Sequence, residues 1–280
     1  MLRALLTSPF QVLRLAWVAH RSRYRGREQW EVFRVLTACW LKINFAPRRG
    51  LYRQRIFGFV VEGSSYELLL KLFKEMFLVE PYAFEPATTT PTIIDGGANI
   101  GMAVVYFKKH FPEATILAFE PSPEAFRLLT TNVANNQLRN VQLYNVALAP
   151  TAGELPFYLE ADGAGLNGSL RPHPAGARTV HVPARRLSDY LGSTARISLL
   201  KLDVEGAEAG ILADLDQDGL LSCCQQVIVE YHYPIGSAES AQLAACLQTF
   251  ERRQFAYYFK VVYPRTVHSQ DVILHCWQRP

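Results

Sequence analysis

The chain has 280 residues, of which 49% are hydrophobic and 19% are charged. This composition argues against a largely disordered protein, and the length fits one large core or one core with an extension. The five cysteines are odd in number and none stands at a C-x-x-C spacing. They therefore indicate neither a disulfide framework nor a zinc site, and they favour a reducing compartment such as the cytoplasm.

The N-terminal part of the chain is strongly basic. Residues 1–60 contain twelve Lys and Arg against two Glu, whereas the remainder of the chain is acidic overall. A basic arm of this kind is typical either of solvated helices or of a surface that contacts an anionic partner such as a membrane. Its first apolar run is interrupted by Arg3, Ser8, Gln11 and Arg14. We therefore expect an amphipathic helix on the domain or peripheral to the inner membrane face, not a signal peptide or a membrane span.

The first 80 residues read as a mostly helical, basic extension. Helical spacing runs through residues 1–46, a strand is predicted at 54–62, and an amphipathic helix is predicted at 65–78. Residues 85–91 are rich in Pro and Thr and form a turn. We accordingly place a domain boundary between residues 80 and 81.

From residue 92 onward, short apolar runs alternate with helical segments. Strands are predicted at 92–95, 115–120, 141–148, 154–159, 179–183, 197–203 and 225–232, and helices at 100–110, 123–136 and 238–252. The last two strands, at 255–263 and 271–277, are expected to form an antiparallel pair. This pattern predicts an α/β fold with a Rossmann-like, doubly wound, mostly parallel sheet.

A glycine-rich motif, Asp95-Gly96-Gly97-Ala98-Asn99-Ile100-Gly101, lies between the first of these strands and its helix. Glycine allows a sharp turn and a close approach of a ligand to the backbone. No register completes G-x-G-x-x-G, so an amino-acid moiety fits this loop better than a pyrophosphate. Asp95 could then accept a hydrogen bond from the ligand's ammonium group, and the loop amides could meet its carboxylate.

Two further strand ends carry polar residues suited to a nucleoside. Glu120 ends the second strand, where a carboxylate commonly accepts from ribose hydroxyls, and Ser122 follows it. Asn145 and Ala147 follow the third strand. The amide of Asn145 has the donor and the acceptor that an adenine edge requires, although an Asn at this place is also a common turn former.

Charged residues also end the fourth and fifth strands. Lys201, Asp203 and Glu205 alternate at the end of the fourth strand, and His232 ends the fifth. We consider Asp203, Glu205 and then His232 as a general base, with Lys201 orienting a carboxylate or lowering the pKa of a substrate. A plain salt-bridge network through Lys201 is the alternative. No ligand spacing demands a divalent metal at these residues.

Taken together, the runs DGGANIG, AFEPSPEAF, NNQLRNVQLYNVAL, KLDVEGAE and VIVEYH resemble the FkbM family of SAM-dependent methyltransferases over about residues 80–277. The resemblance implies a class I methyltransferase fold for residues 81–280, with S-adenosylmethionine (SAM) as cofactor. It also implies methyl transfer to a hydroxyl oxygen of a sugar, polyketide or related metabolite. By matched position, the SAM loop would comprise Asp95, Gly97, Asn99 and Gly101, while Glu120 would hold the ribose and Gly96 stands at a variable position.

Two other functions compete with this interpretation. One is an NAD-linked oxidoreductase, which the incomplete glycine pattern and the antiparallel end disfavour. The other is a membrane-associated scaffold that retains the fold but has lost catalysis. As partners we expect a small-molecule or glycan acceptor and no nucleic acid, with residues 160–178 as a possible cover for the acceptor.

Overall fold

The computed structural model describes residues 8–46, 52–159, 168–170, 178–191, 196–234, 241–260 and 269–279. Its largest sheet has seven strands: β3 (Thr92–Gly96), β4 (Thr115–Phe119), β5 (Val141–Tyr144), β10 (Ile197–Leu202), β11 (Cys224–Pro234), β12 (Phe255–Lys260) and β13 (Ser269–Gln278). Their order is β12-β13-β11-β10-β3-β4-β5. The five strands from β11 to β5 are parallel, and β13 is antiparallel to both β11 and β12. The predicted sheet with its closing antiparallel pair is confirmed.

Helices cover both faces of this sheet. They are α4 (Met102–His110), α5 (Pro123–Asn135), α6 (Glu208–Gln217) and α7 (Ala241–Arg252). Ile93 belongs to the same buried cluster as Val104 of α4, whereas Ile94 belongs to a second cluster with Leu212 of α6 and Phe250 of α7. Successive residues of a strand face opposite sides, so the uninterrupted apolar runs in the sequence reflect burial on both faces.

The N-terminal elements are α1 (Ser8–Arg21), α2 (Arg27–Phe45), β1 (Tyr52–Ile56), β2 (Phe59–Gly63) and α3 (Tyr66–Lys74), which continues as a π-helical turn over Glu75–Val79. Val32 of α2 and Phe73 of α3 lie in the same buried cluster as Val104 of α4. The extension and the sheet therefore share a core, and a boundary at residue 80 stays a prediction. No helix in the described ranges is both long enough and apolar enough to cross a membrane.

The single strand predicted over 54–62 is wrong. Phe57 has a φ of 48° and Gly58 a φ of 93°, and these two residues form the turn of a β1–β2 hairpin in which Ile56 pairs with Phe59. A two-residue turn with positive φ at both positions matches the twist of antiparallel strands. The turn is not evident from the sequence, because a non-glycine residue such as Phe rarely adopts a positive φ.

The predicted third strand, 141–148, is divided between two sheets. β5 stays in the central sheet, whereas β6 (Ala147–Leu148) joins a four-stranded sheet with β7 (Gly153–Leu159), β8 (Gly168–Ser169) and β9 (Arg178–Arg185). β6 pairs in parallel with β9, with Ala147 opposite Ala184. The break at residues 145–146 turns the chain away from the central sheet. Helix α6 was also absent from the sequence-based prediction.

Candidate functional site

A cavity lies where β3, β4 and β10 reach their carboxyl ends. This is the edge at which doubly wound sheets bind ligands. The smaller sheet and its edge add Phe157, Gly168 and Leu170 to the wall. The remaining lining residues are Gly97, Asn99, Phe119, Glu120, Pro121, Val146, Ala147, Leu148, Asp203, Val204 and Glu205.

The glycine loop is shaped by its close approach to neighbouring segments. Gly97 has a φ of +79°, and a Cβ on it would lie 1.8 Å from the backbone oxygen of Asp203. Gly101 has a φ of +87°, and its Cβ would lie 2.7 Å from Cδ1 of Leu129. The left-handed conformation favours glycine at both positions, and at Gly97 the backbone contact leaves no space for any side chain. Gly96 ends β3 and is buried beneath the loop.

The amides of this loop already have acceptors within the protein. The N–H groups of Gly97 and Ala98 donate to the carbonyl oxygen of Phe119 at 3.0 and 2.9 Å. The N–H of Asn99 donates to Oε2 of Glu120 at 2.8 Å. The side-chain Oδ1 of Asn99 accepts from the N–H of Ile100 at 2.7 Å. The expectation that these amides meet a bound carboxylate is therefore not supported, since each would have to exchange or share its partner.

Glu120 is held by backbone donors on both carboxylate oxygens. Oε2 accepts from the N–H of Asn99 and Oε1 from the N–H of Ser122, each at 2.8 Å. Burial raises the pKa of Glu120 to about 7, although these two hydrogen bonds oppose the rise. A carboxylate oxygen can accept more than one hydrogen bond, so the ionised group retains capacity for two ligand hydroxyls.

Ser122 and Asn145 support Glu120 from behind the cavity wall. Ser122 is fully buried, and its Oγ caps α5 by accepting from the N–H of Ala125 at 3.2 Å. Nδ2 of Asn145 donates to the carbonyl oxygens of Glu120 and Pro121 at 2.8 and 3.2 Å. Neither residue lines the cavity, whereas Ala147 does. The expected contact of the Asn145 donor with an adenine is replaced by a bond that fixes the turn after β4.

Lys201 lies beneath the glycine loop, where carboxylate and carbonyl oxygens surround its ammonium group. Its Nζ lies 2.9 Å from Oδ1 of Asp95 and 3.7 Å from Oδ2 of Asp203. It also donates to the carbonyl oxygens of Gly97 and Gly96 at 2.8 and 3.2 Å. Burial alone would lower the pKa of Lys201, but the two carboxylates outweigh it and raise the pKa. Lys201 is thus protonated and acts as a fixed cation, as the salt-bridge alternative had it.

Asp95 is completely buried and does not line the cavity. Its Oδ2 is enclosed and accepts no hydrogen bond from any described residue. A ligand in the cavity would therefore not reach the Asp95 carboxylate in this geometry, so the expected contact with a ligand ammonium group is not formed. In its place Asp95 meets a cation of the chain itself.

Tyr82 and Glu230 complete this network, and neither was predicted from the sequence as a site residue. The Tyr82 hydroxyl lies 2.6 Å from Oε2 of Glu230 and 3.0 Å from Oδ2 of Asp203. Burial, followed by the charge of Asp203, raises the pKa of Tyr82 well above its usual value, so the phenol keeps its proton. The sequence contained one signal for this network, which is the carboxylate of Glu230 within an otherwise apolar strand. A buried charge requires a partner, so this residue predicts a polar group beside it.

The segment after β10 brings two predicted carboxylates to the cavity. Asp203 and Glu205 both line it, and the side chain of Asp203 is 25% exposed. Glu205 has a φ of 57°, and its carbonyl oxygen accepts from Oγ of Ser169 at 3.0 Å. The buried carboxylate of Glu208 accepts from the N–H of Gly206 at 3.1 Å. Glu208 and the small sheet therefore fix the course of this loop.

The His232 candidate lies outside the described side chains. Its backbone is part of β11, opposite Asp271 of β13. Among the residues that the structure describes, no group of three His, Cys, Asp or Glu side chains could hold a metal ion. A role for His232 stays a prediction.

Comparisons with known proteins identify the family to which this chain belongs. The family described as "Methyltransferase FkbM domain" matches residues 95–257. "Methyltransferase sdnD" of Sordaria araneosa is 33% identical over 197 residues, which are 59% of this chain and 75% of that protein. "31-O-demethyl-FK506 methyltransferase FkbM" of Streptomyces tacrolimicus is 29% identical over 193 residues, 58% of this chain and 74% of that protein. The crystal structure of M. jannaschii TYW2 in complex with AdoMet has a TM-score of 0.46 at 12% identity, over 82% of this chain and 87% of that chain. The chain belongs to the FkbM family of methyltransferases.

Proposed function

We propose that this chain transfers the methyl group of SAM to a hydroxyl oxygen of a small-molecule or glycan acceptor. The observation that carries the proposal is that Glu120, after β4, and Asp203, after β10, line one cavity on either side of β3. One carboxylate suits the hydroxyls of a ribose and the other suits the proton of an attacking alcohol.

The residues of the cavity fit SAM as a ligand. When bound, SAM supplies a methyl group on a sulfonium, which is an electrophile that requires alignment more than activation. Glu120 would accept from the ribose hydroxyls, and the apolar wall formed by Val146, Ala147 and Phe119 would face the adenine. Gly97 and Asn99 would border the remainder of the cofactor.

Asp203 is our candidate for the general base. The acceptor's hydroxyl proton would pass to the carboxylate of Asp203 as the oxygen attacks. Tyr82 and Lys201 act as positioning residues, because a hydroxyl donor and a cation fix this carboxylate from the protein side. Glu205 lines the same cavity and is the second candidate.

An oxygen acceptor is also favoured by a relative. The Streptomyces tacrolimicus protein is named for 31-O-demethyl-FK506, a substrate that lacks a methyl group on an oxygen. The size of the acceptor is an independent part of the proposal. The cavity is bounded on one side by Phe157, Gly168 and Leu170 of the smaller sheet and its edge, which favours a small molecule or the end of a glycan.

Cofactor binding is tested by calorimetric titration with SAM, with NAD as the parallel control. Val146→Trp should fill the cavity and abolish SAM binding, since Val146 is part of its wall. Val79→Trp places the same side chain at an exposed site and should leave binding intact. No SAM binding by a folded wild type would refute the proposal, and NAD binding would support an oxidoreductase.

Turnover is tested with methyl-labelled SAM and paired hydroxylated and amine-bearing acceptors. Label transfer to the hydroxylated acceptor alone is the expected result. Transfer only to amines would refute the choice of oxygen while leaving the cofactor site intact. SAM binding without transfer to any acceptor would favour the scaffold that has lost catalysis.

A further inference from the structure

Helix α1 buries one face and leaves the opposite face uncovered by any described residue. Leu15, Val18 and the buried Ala19 belong to the large core cluster. Leu13 and Trp17, one turn apart on the other side, are 67% and 57% exposed. Single exposed apolar residues are ordinary, but two large ones aligned at i and i+4 form a stripe.

The same exposed face carries unneutralised positive charge. Helix α1 contains no acidic residue. Arg14 and Arg21 are both exposed and have no acidic partner among the residues that the structure describes. The guanidinium of Arg21 lies 4.9 Å from the ring centroid of Trp17, so cation and indole are adjacent.

Acidic residues elsewhere in the basic arm do not compensate this charge. Glu28 pairs with Lys109 at 2.7 Å, and Glu31 pairs with Arg34 within α2 at 2.5 Å. These are the two acidic residues of residues 1–60. Neither of them neutralises Arg14 or Arg21 of α1.

We propose that this outer face of α1 binds the surface of a bilayer that contains anionic phospholipid. Leu13 and Trp17 enter the boundary between headgroups and acyl chains, as amphipathic interfacial helices do. Arg14 and Arg21 meet the lipid phosphates, with their aliphatic stems along the apolar stripe. The charge complementarity identifies the partner as anionic, and the flanking leucine and tryptophan identify it as a bilayer surface and not a soluble anion. The inference is independent of the proposed methyl transfer.

The test is co-sedimentation of the full chain with two kinds of vesicle, one of phosphatidylcholine alone and one of phosphatidylcholine and phosphatidylglycerol in equal parts. We expect binding to the anionic vesicles that weakens with added salt, because the charge contribution is screened. The double variant Leu13→Ser with Trp17→Ser should bind at least about tenfold more weakly, since it removes the inserted area. Arg14→Gln with Arg21→Gln should lose the preference for anionic vesicles.

Trp30→Ser is the matched control. Trp30 is 72% exposed but belongs to α2, so its loss should leave vesicle binding unchanged. Thermal unfolding of every variant shows whether the fold is intact. Equal binding by the wild type and the Leu13/Trp17 variant would overturn the proposal, as would equal binding to neutral vesicles. A dimer in solution that the Leu13/Trp17 variant converts to a monomer, without vesicle binding, would overturn it in favour of a second copy of the chain.

Discussion

Lys201 and Asp95 stand opposite each other in the parallel register of β10 and β3, and the Lys201 ammonium lies 2.9 Å from Oδ1 of Asp95. Both side chains are almost completely buried. The pair lies directly beneath the glycine loop, because the same ammonium also donates hydrogen bonds to the carbonyl oxygens of Gly96 and Gly97. The shape of the cavity floor therefore depends on one buried ion pair.

Replacing one member of this ion pair should strongly lower the stability of the fold. Lys201→Met leaves the Asp95 carboxylate buried without a cation, and we expect a loss of about 3–5 kcal/mol in the free energy of unfolding. Urea denaturation measures this. Lys201→Met combined with Asp95→Asn is the control and should recover part of the loss, because the completely buried charge of Asp95 is removed together with its cation. A single variant as stable as the wild type would contradict the role assigned to the pair.

Gly97→Ala should damage both stability and cofactor binding. The added Cβ would lie 1.8 Å from the backbone oxygen of Asp203, so β3 and β10 must separate at the cavity. Gly219→Ala is the matched control, since Gly219 also has a positive φ, of +72°, but open space around it. The control should lose about 1–2 kcal/mol from backbone strain alone. Equal losses in the two variants, measured by thermal unfolding, would show that the close approach is unimportant.

The affinity for SAM should depend on pH through Glu120. Only the ionised carboxylate accepts from both ribose hydroxyls, and burial raises the pKa of this group to about 7. The dissociation constant should therefore rise as the pH falls through about 7, by up to about tenfold per pH unit. Glu120→Gln should bind more weakly and lose this dependence, while any titration of SAM itself would persist in both proteins. An identical pH profile for the wild type and Glu120→Gln would contradict the assignment.

The same pKa shift makes a prediction for the protein without ligand. The folded state holds the Glu120 proton more tightly than the unfolded state, whose pKa is near the ordinary value of 4.5. The free energy of unfolding should consequently fall as the pH rises from about 4.5 to about 7. Urea denaturation across this range should show a smaller fall in Glu120→Gln. A fall of the same size in both would assign it to other groups.

Tyr82→Phe should slow turnover without weakening SAM binding. The variant removes the hydroxyl that contacts Asp203 and Glu230, so kcat should fall by about tenfold or more while the dissociation constant of SAM stays unchanged.

Tyr24→Phe is the matched control for this prediction. Tyr24 is also buried and donates to a carboxylate, that of Glu80 at 3.1 Å, but it does not contact the cavity. Its loss should affect stability alone. An unchanged kcat in Tyr82→Phe would exclude a positioning role for Tyr82.

The sequence by itself determined most of the strands and helices from residue 92 onward, apart from helix α6 and the division of strand 141–148, and it determined the strand ends at which chemistry was expected. These features are local: apolar runs of strand length, a glycine motif between a strand and a helix, and charged residues at strand ends such as Glu120 and Asp203. Strands joined through helices run parallel, so their carboxyl ends lie at the same edge of the sheet, and this follows from the order of the elements alone.

Only the tertiary structure decided which polar residues face the cavity and which lie beneath it. Lys201 and Asp95 are next to each other because two strands that are 105 residues apart along the chain pair in one particular register. Tyr82 meets Glu230 and Asp203 from a turn before β3, and Asn145 turns its amide toward the end of β4. The periodicity of a strand gives the side on which a residue lies, but the partner on that side is chosen by long-range packing and by the need of buried charges for partners.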